Sequence, residues 1–455
     1  MDEVASRSFF RSVEQAAGQQ AADRLREALQ QDASVSVRLN PLKPCAWTPE
    51  ILRGSTPVPW SALGRLLPSR PVFTLQPEFH GGAYYVQDSS AMFVGQVFRK
   101  VLEDVEVKGR PVRVLDLCAA PGGKTTDMAS SLRSARGDSF LLVANEVMRN
   151  RAAILADNVA RWGDPNVVVT NADPKAFAAL DGWFDIIVAD VPCSGEGMFR
   201  KDEEAVAQWS EDNVALCSAR QRRIVADVWP ALAPGGVMVY STCTFNREEN
   251  AGNVLWICSE LGASHALSGL EYEGILQDEA GYMLIPGLVP GEGQYCAAVR
   301  KDDAPVRGIK MHQGRSDPKL DTLRRLFDTP MSLRTKGDMI VAVPQIIAAE
   351  ADCVAAHAHV LLTGCAVGQM KGKDLVPDED LALCTALSGE AFPTVEVDRT
   401  TALGFLHKDA LVLQDAPRGH VILSCNGVCL GFVKNLGGRC NNLHPQGRRI
   451  MMAIK

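Results

Sequence analysis

The sequence predicts an α/β fold built on a parallel sheet with helices on both faces. Three observations carry this expectation. Five apolar runs recur in the middle of the chain: VRVLDL (112–117), FLLVANE (140–146), NVVVT (166–170), FDIIVAD (184–190) and GVMVYST (236–242). Helical stretches, such as 149–161 and 214–232, separate most of them. The runs are continuously apolar and not alternating, as in strands buried on both faces. Crossovers in such a sheet are right-handed, and ligands bind at the carboxyl ends of the strands.

The flanking elements follow in order. Residues 9–29 have the periodicity of one amphipathic helix, and SVSVRL (34–39) alternates like a strand before the Asn40-Pro41 turn. Residues 1–82 form a small N-terminal α+β domain in this reading, and 83–300 form the core. Residues 301–384 are a linker and connecting domain, opened by a polar, basic stretch at 302–319. Residues 385–455 are a final domain whose end, from 405, reads as short strands with Gly turns. There is no repeat and no low-complexity tract.

Composition bounds the function. The chain has 455 residues, 46% hydrophobic and 22% charged, with a net charge of -7. That is an ordinary globular protein of several domains. No global positive field announces a nucleic-acid partner, so such a partner must be met by local patches. Thirteen cysteines are present, but the first thirty residues carry charge throughout and lack an apolar leader segment. No apolar run approaches the ~18–20 residues of a membrane span. The expectation is a cytoplasmic protein, read as a monomer with no membrane partner, whose reduced cysteines are mostly small core residues.

The first strand runs into Asp116-Leu117-Cys118-Ala119-Ala120-Pro121-Gly122-Gly123-Lys124-Thr125. Small residues between strand and helix let a ligand approach backbone N–H groups at the helix N-terminus. The turn is one residue from a phosphate-binding P-loop, which needs Gly where Cys118 stands. The competing readings are a nucleotide triphosphatase and a purely structural turn. Acids at strand ends favour a third: Glu146, Asp173 and Asp190 suit a cationic, nucleoside-containing ligand and would repel a triphosphate. S-adenosylmethionine, with a sulfonium and no phosphate, fits. Its site would be Cys118, Ala119, Ala120, Pro121, Gly122, Gly123 and Lys124 with the three acids.

Two cysteines follow two strands that a doubly wound sheet makes neighbours, Cys193 in DVPCSGEG and Cys243 in STCTF. Either alone reads as a buried core thiol. Together, beside a methyl donor, they suit a reaction that needs a thiol. Cytosine C5 is too weak a nucleophile unaided; thiolate addition to C6 gives it enamine character. Lys124 is a nearby cation that would favour thiolate, and the second thiol or a carboxylate could assist elimination. On residue type alone, either cysteine could be the nucleophile.

The strings VLDLCAAPGGKTT, DVPCSGEGMFRKD and STCTFNREEN resemble the signatures of the RNA cytosine-5 methyltransferases (RsmB/RsmF/NSUN-type), and most of all the bacterial RsmF-type 16S rRNA enzymes. SVRLNPLK, YYVQDSSAMF and GFVKNLGGRCNNLHP match the same group, so the resemblance spans nearly the whole chain. It implies a Rossmann-like class I S-adenosylmethionine-dependent core and a PUA-like RNA-binding region at the C-terminus. It implies Cys243 as nucleophile, Cys193 as an aid to product release and Asp190 at the cytosine edge. The stretch from Cys118 to Lys124 would wrap the methionine part, Glu146 would bind the ribose and Asp173 would lie by the adenine. The substrate implied is 16S rRNA or the small ribosomal subunit, with tRNA as the alternative.

Substrate contacts are read from charge. After Ala416 there is no acid, but Arg418, Lys434, Arg439, Arg448, Arg449 and Lys455 are present, the footprint of phosphate contacts. The stretch with Arg300, Lys301, Arg307, Lys310, Arg315 and Lys319 is also basic. A target cytosine must leave its stack, and Phe199, Arg200 and Lys201 would hold it or its backbone, though Phe199 suits a core equally. Cys425, Cys429, Cys440 and His444 have a spacing that could be read as zinc-binding; the expectation is no metal. A catalytically silent RNA-binding assembly factor on the same fold is the rival from another class.

Overall fold

The computed structural model describes residues 3–43, 49–266, 269–303, 305–309, 311, 314 and 316–454. Helices α1 (Glu3–Ala17) and α2 (Gln19–Ala28) replace the single helix expected over 9–29. The break falls at Gly18, whose φ of 88° is open to glycine at little cost. A four-stranded antiparallel sheet follows, made of β1 (Val35–Leu39), β2 (Thr56–Val58), β3 (Ser61–Leu67) and β4 (Tyr84–Val86) in the order β2-β3-β1-β4. Short helices α3 (Pro49–Leu52) and α4 (Pro77–His80) lie between its strands. Pairing of β4 with β1 carries this sheet past residue 82.

The central sheet is entered through α5 (Met92–Glu103). Strands and helices then alternate: β5 (Val112–Asp116), α6 (Gly123–Arg136), β6 (Phe140–Asn145), α7 (Arg149–Trp162), β7 (Val167–Thr170) and β8 (Phe184–Asp190). They continue with α8 (Glu203–Gln208), α9 (Glu211–Val228), β9 (Leu232–Thr242) and α10 (Ala251–Leu261). Strands β9-β8-β5-β6-β7 are parallel neighbours in that order. The order reverses at β5, so the loops after β5 and β8 face a topological switch point. Beyond β9 the sheet is antiparallel, with β10 (Ala263–His265), β11 (Leu276–Gln277), β12 (Tyr282–Leu284) and β13 (Gln294–Lys301).

Alternate residues of the central strands enter two separate cores. Leu115, Leu141, Val143 and Ile187 pack on one face; Val114, Leu142, Ala144 and Ile186 pack on the other. That two-sided burial is the physical reason the runs are continuously apolar.

The remaining elements are β14 (Met331–Lys336), β15 (Met339–Pro344), α11 (Ala348–Ala355), β16 (Val360–Thr363), β17 (Cys365–Lys371), β18 (Asp374–Pro377) and α12 (Glu379–Leu383). Then come β19 (Thr394–Glu396), α13 (Arg399–His407), β20 (Gly419–Cys425), β21 (Val428–Asn435) and β22 (Cys440–Asn442). Strand β16 adds to the central sheet, antiparallel to β7. Ile422 and Phe432 of the last sheet share a core with Leu333, Ala342 and Leu381.

Several charged residues differ from the sequence expectation. Arg300 and Lys301 belong to β13 and not to a basic linker. Lys301 is buried, and its Nζ donates to the carbonyls of Trp229 and Leu232. Arg307 and Lys319 are exposed, whereas Lys310, Arg315 and Lys455 lie outside the described residues. Cys425 and Cys440 enter a core with Phe405, Cys429 packs on the neighbouring one, and His444 Nδ1 is 2.6 Å from Glu379 Oε1. Among the described residues no helix is long and apolar enough to cross a membrane, and no three metal-ligating side chains gather.

Candidate active site

The carboxyl ends of β5, β6, β8 and β9 bring the expected site residues together. Asp116 ends β5 fully buried, with Oδ2 accepting from Thr125 at 2.6 Å and Oδ1 enclosed without a partner. Burial pushes its carboxyl up to about 7. The turn from Cys118 to Gly123 is fastened at both ends. Ala119 N–H donates to the Asn145 carbonyl at 2.8 Å, and Asn158 donates to the Pro121 carbonyl at 2.8 Å. Burial, with Asp190 and Asp116 nearby, pushes the Cys118 thiol up.

Glu146, after β6, is buried; its Oε1 accepts from Met148 N–H at 2.9 Å. The apolar Val147 and Met148 that follow are more than half exposed. Asp173 is exposed and caps a 3-10 turn through Lys175 N–H. Thus Glu146 is an enclosed acceptor and Asp173 an open one.

Asp190 ends β8 and is held from three directions. Lys124 Nζ donates to Oδ2 at 2.8 Å, Ser241 Oγ donates to Oδ1 at 2.7 Å, and Gln294 reaches Oδ1 at 3.3 Å. Burial works against the Lys124 charge, but Asp190 and then Cys243 outweigh it and hold the ammonium above the ordinary lysine range. Cys193 Sγ and Cys243 Sγ lie 3.2 Å apart, both free thiols. The hydrogen bond with Cys243, together with burial, holds the Cys193 thiol far up. The two sulfurs thus share one hydrogen bond.

The two cysteine loops are stitched by residues to which the sequence reading gave no role. Glu196 accepts from Phe245 N–H at 2.6 Å and from Trp209 at 2.9 Å. Glu249 accepts from Ser194 N–H at 3.0 Å and from Gln221 at 2.6 Å. Asn246 donates to both carboxylates, at 3.0 and 2.8 Å. These residues stand inside DVPCSGEGMFRKD and STCTFNREEN; the available signal was polar residues beside a thiol. Gly197 N–H donates to the Cys243 carbonyl, and a Cβ at Gly197 would come within 2.8 Å of the Glu292 carbonyl. From the N-terminal sheet, fully buried Arg38 donates to Thr126 Oγ1 at 2.5 Å and to the Gly123 carbonyl at 3.1 Å, bracing α6.

Three expected RNA contacts are otherwise engaged. Arg200 is a buried ion-pair partner of Glu292, at 2.7 Å, and is not a free cation. Phe199 packs on the core, its ring 5.1 Å from that of Phe9. Arg448 is tied to Asp157, Glu379 and Asp380, joining α7 and α12 to the segment after β22. Arg449 is half-buried with Nε enclosed. Lys201 is partly exposed, 3.3 Å from Asp88, and Arg439 is exposed.

The family comparisons match this architecture piece by piece. Residues 106–300 match the model of 16S rRNA methyltransferase RsmB/F. Residues 6–89 match the N-terminal domain of 16S rRNA methyltransferase RsmF, and 392–450 match the methyltransferase RsmF PUA domain. The ribosomal RNA small subunit methyltransferase F of Klebsiella pneumoniae (strain 342) is 30% identical over 424 residues, covering 86% of this chain and 84% of that protein. The chain belongs to the RsmF family. A second RsmF relative, from Enterobacter sp. (strain 638), is 40% identical over 207 residues, 44% of this chain and 41% of that one. A methyltransferase homolog from Pyrococcus horikoshii has a TM-score of 0.52 and 25% identity, covering 66% of this chain and all of that one. NSun6 from Pyrococcus horikoshii, solved with SFG, shares the fold at a TM-score of 0.51 and 17% identity, over 65% and 98% of the two chains. This RsmF-family chain thus has a Rossmann-like methyltransferase core, the family's N-terminal domain and a PUA domain.

Proposed function

We propose that this chain methylates C5 of cytosine in RNA, 16S rRNA being the substrate, with Cys243 as the nucleophile. The observation that carries the reading is the pair of thiols on adjacent strand ends, 3.2 Å apart, beside the Lys124–Asp190 ion pair. S-adenosylmethionine, when bound, supplies the methyl group. The site fits it: the turn from Cys118 to Gly123, buried Glu146 and the unpartnered Oδ1 of Asp116 make an acceptor-rich surface for a cationic nucleoside.

Cys193 shares a hydrogen bond with Cys243, and Lys124 sets a positive charge beside the pair. A cation beside a thiol favours its thiolate form. The thiolate adds to C6 of a flipped cytosine, and the electron pair displaced from the C5–C6 bond makes C5 nucleophilic. Asp190, fixed by Lys124 and Ser241, is placed to hold the cytosine edge. After methylation at C5, loss of the C5 proton to a base restores the double bond and expels Cys243. Cys193 assists that release. Lys434 and Arg439 of the PUA domain hold phosphates.

The test is 5-methylcytosine mapping by mass spectrometry after incubation with S-adenosylmethionine and unmodified small subunits, naked 16S rRNA or tRNA. Product in 16S rRNA, naked or in the subunit, is expected. Product in tRNA alone moves the substrate and keeps the chemistry. Tight RNA binding with no product on any of the three means a binding factor.

A further inference from the structure

We propose that a cavity between the N-terminal sheet and α7 is a second RNA site, taking an unpaired base that flanks the methylated cytosine. The proposal rests on the RNA reading above. The cavity has a volume of about 260 Å³ and is walled by Phe73, Phe79, Tyr84 and Tyr85 with Arg70 and Arg161. That is smaller than the roughly 300–1,000 Å³ of sites for drug-sized ligands, and suits one planar ring system. The ring centroids of Phe73, Phe79 and Tyr84 are 6.0 to 6.4 Å apart, close enough to form one aromatic surface. The two guanidinium groups stand over Phe73 and Phe79, at 5.6 and 5.4 Å from the ring centres.

Charge identifies the occupant. No carboxylate lines the cavity. Arg161 is paired with Asp157, but Arg70 is exposed and has no hydrogen bond or ion pair among the described residues. Aromatic faces beside an unpaired cation are the kind of surface on which single-stranded nucleic acid stacks its bases and lays its phosphates. Phe73 and Tyr84 belong to the small core of the N-terminal domain, while Phe79 and Tyr85 stay partly exposed at the cavity and Arg70 is exposed beside them.

Position ties the cavity to the reaction. Arg70 also lines an adjoining groove of about 740 Å³, which includes Lys201 from the loop after Cys193. A strand leaving the thiols can therefore pass Lys201 and Arg70 and turn a base into the cavity. On one wall, Tyr85 OH donates to the Pro121 carbonyl at 3.1 Å, beside the Asn158 bond to the same carbonyl. A base stacked on Tyr85 would thus press on the turn that holds the cofactor.

The experiment compares wild type, Arg70→Ala and Arg70→Glu in the full chain. Binding of a fluorescent single-stranded RNA is read by anisotropy, and 4-thiouridine-substituted 16S rRNA is photo-crosslinked and the peptides sequenced. We expect binding about tenfold weaker in Arg70→Ala, weaker still in Arg70→Glu, a raised RNA KM with kcat within about twofold, and crosslinks on the peptides of Phe79 and Tyr85. Unchanged binding by both variants, or crosslinks confined to other surfaces, overturns the proposal. So does a defect seen only on assembled subunits and not on naked RNA, which would mean a protein occupant. A wild type that makes 5-methylcytosine while the variants behave identically removes this site and leaves the methylation reading intact. Loss of RNA binding in the variants, with crosslinks in the cavity and no 5-methylcytosine from wild type, does the reverse.

Discussion

Cys193 Sγ lies 3.2 Å from Cys243 Sγ, and that shared hydrogen bond, with burial, pushes the Cys193 thiol up. The proposed mechanism makes the two thiols unequal although they occupy equivalent strand ends. Cys243→Ala should lose activity by roughly a thousandfold or more, as for removal of a covalent nucleophile. Cys193→Ala should instead accumulate a denaturation-resistant RNA adduct, visible as a shifted band on a denaturing gel. An adduct in Cys243→Ala and none in Cys193→Ala would reverse the assignment.

Asp116 gives the free protein a pH-dependent stability. Its carboxyl is raised from the model-peptide value of 3.8 to about 7 in the fold, so between those values the folded state holds a proton the unfolded chain releases. The stabilising contribution is complete below about pH 4 and is lost as pH rises through 7. The loss is on the order of 4 kcal/mol at most, at 1.36 kcal/mol per pKa unit. In Asp116→Asn, urea unfolding at pH 5 and pH 8 should differ by less than in wild type. An unchanged difference would assign the effect to other groups.

The ion pair of Arg200 and Glu292 lies between the thiol loops and the N-terminal segment. Both side chains are under a tenth exposed, and Ser34 N–H also donates to Glu292 at 3.2 Å. Glu292→Gln leaves a buried guanidinium uncompensated and should cost about 3–5 kcal/mol. The double variant Arg200→Met/Glu292→Leu should recover part of that loss in a denaturant titration.

Gly197 is where the two cysteine loops touch. A methyl there would press on the carbonyls of Glu292 and Cys243, at 2.8 and 3.0 Å. Gly197→Ala should cost about 1–3 kcal/mol and lower kcat more than the binding of S-adenosylmethionine, measured by calorimetry. Equal loss of both would place the strain in the turn from Cys118 to Gly123.

The C-terminal basic residues should separate into two groups by salt. Lys434→Ala and Arg439→Ala, if each removes one phosphate contact, should each reduce the slope of log Kd against log salt by about 0.7 to 0.9. Arg448→Ala should leave the slope unchanged and lower the melting temperature, because Asp157, Glu379 and Asp380 lose their shared cation.

The sequence by itself determined the central sheet, the Gly-rich turn after β5 and the two cysteines. Strands buried on both faces must be apolar along their whole length, so the runs at 184–190 and 236–242 were legible without any partner. The strand-end residues Glu146, Asp190, Cys193 and Cys243 were legible because parallel strands collect their carboxyl ends on one edge. Only the tertiary structure decided which cations are free. Arg200, Arg448 and Lys301 look like RNA ligands along the chain, yet each is spent on carboxylates or carbonyls distant in sequence. It also decided that the two thiols lie within hydrogen-bond reach, that Glu196, Asn246 and Glu249 lace the two loops, and that Gly18 divides the first helix. These properties depend on partners brought close by folding, and local periodicity carries no information about them.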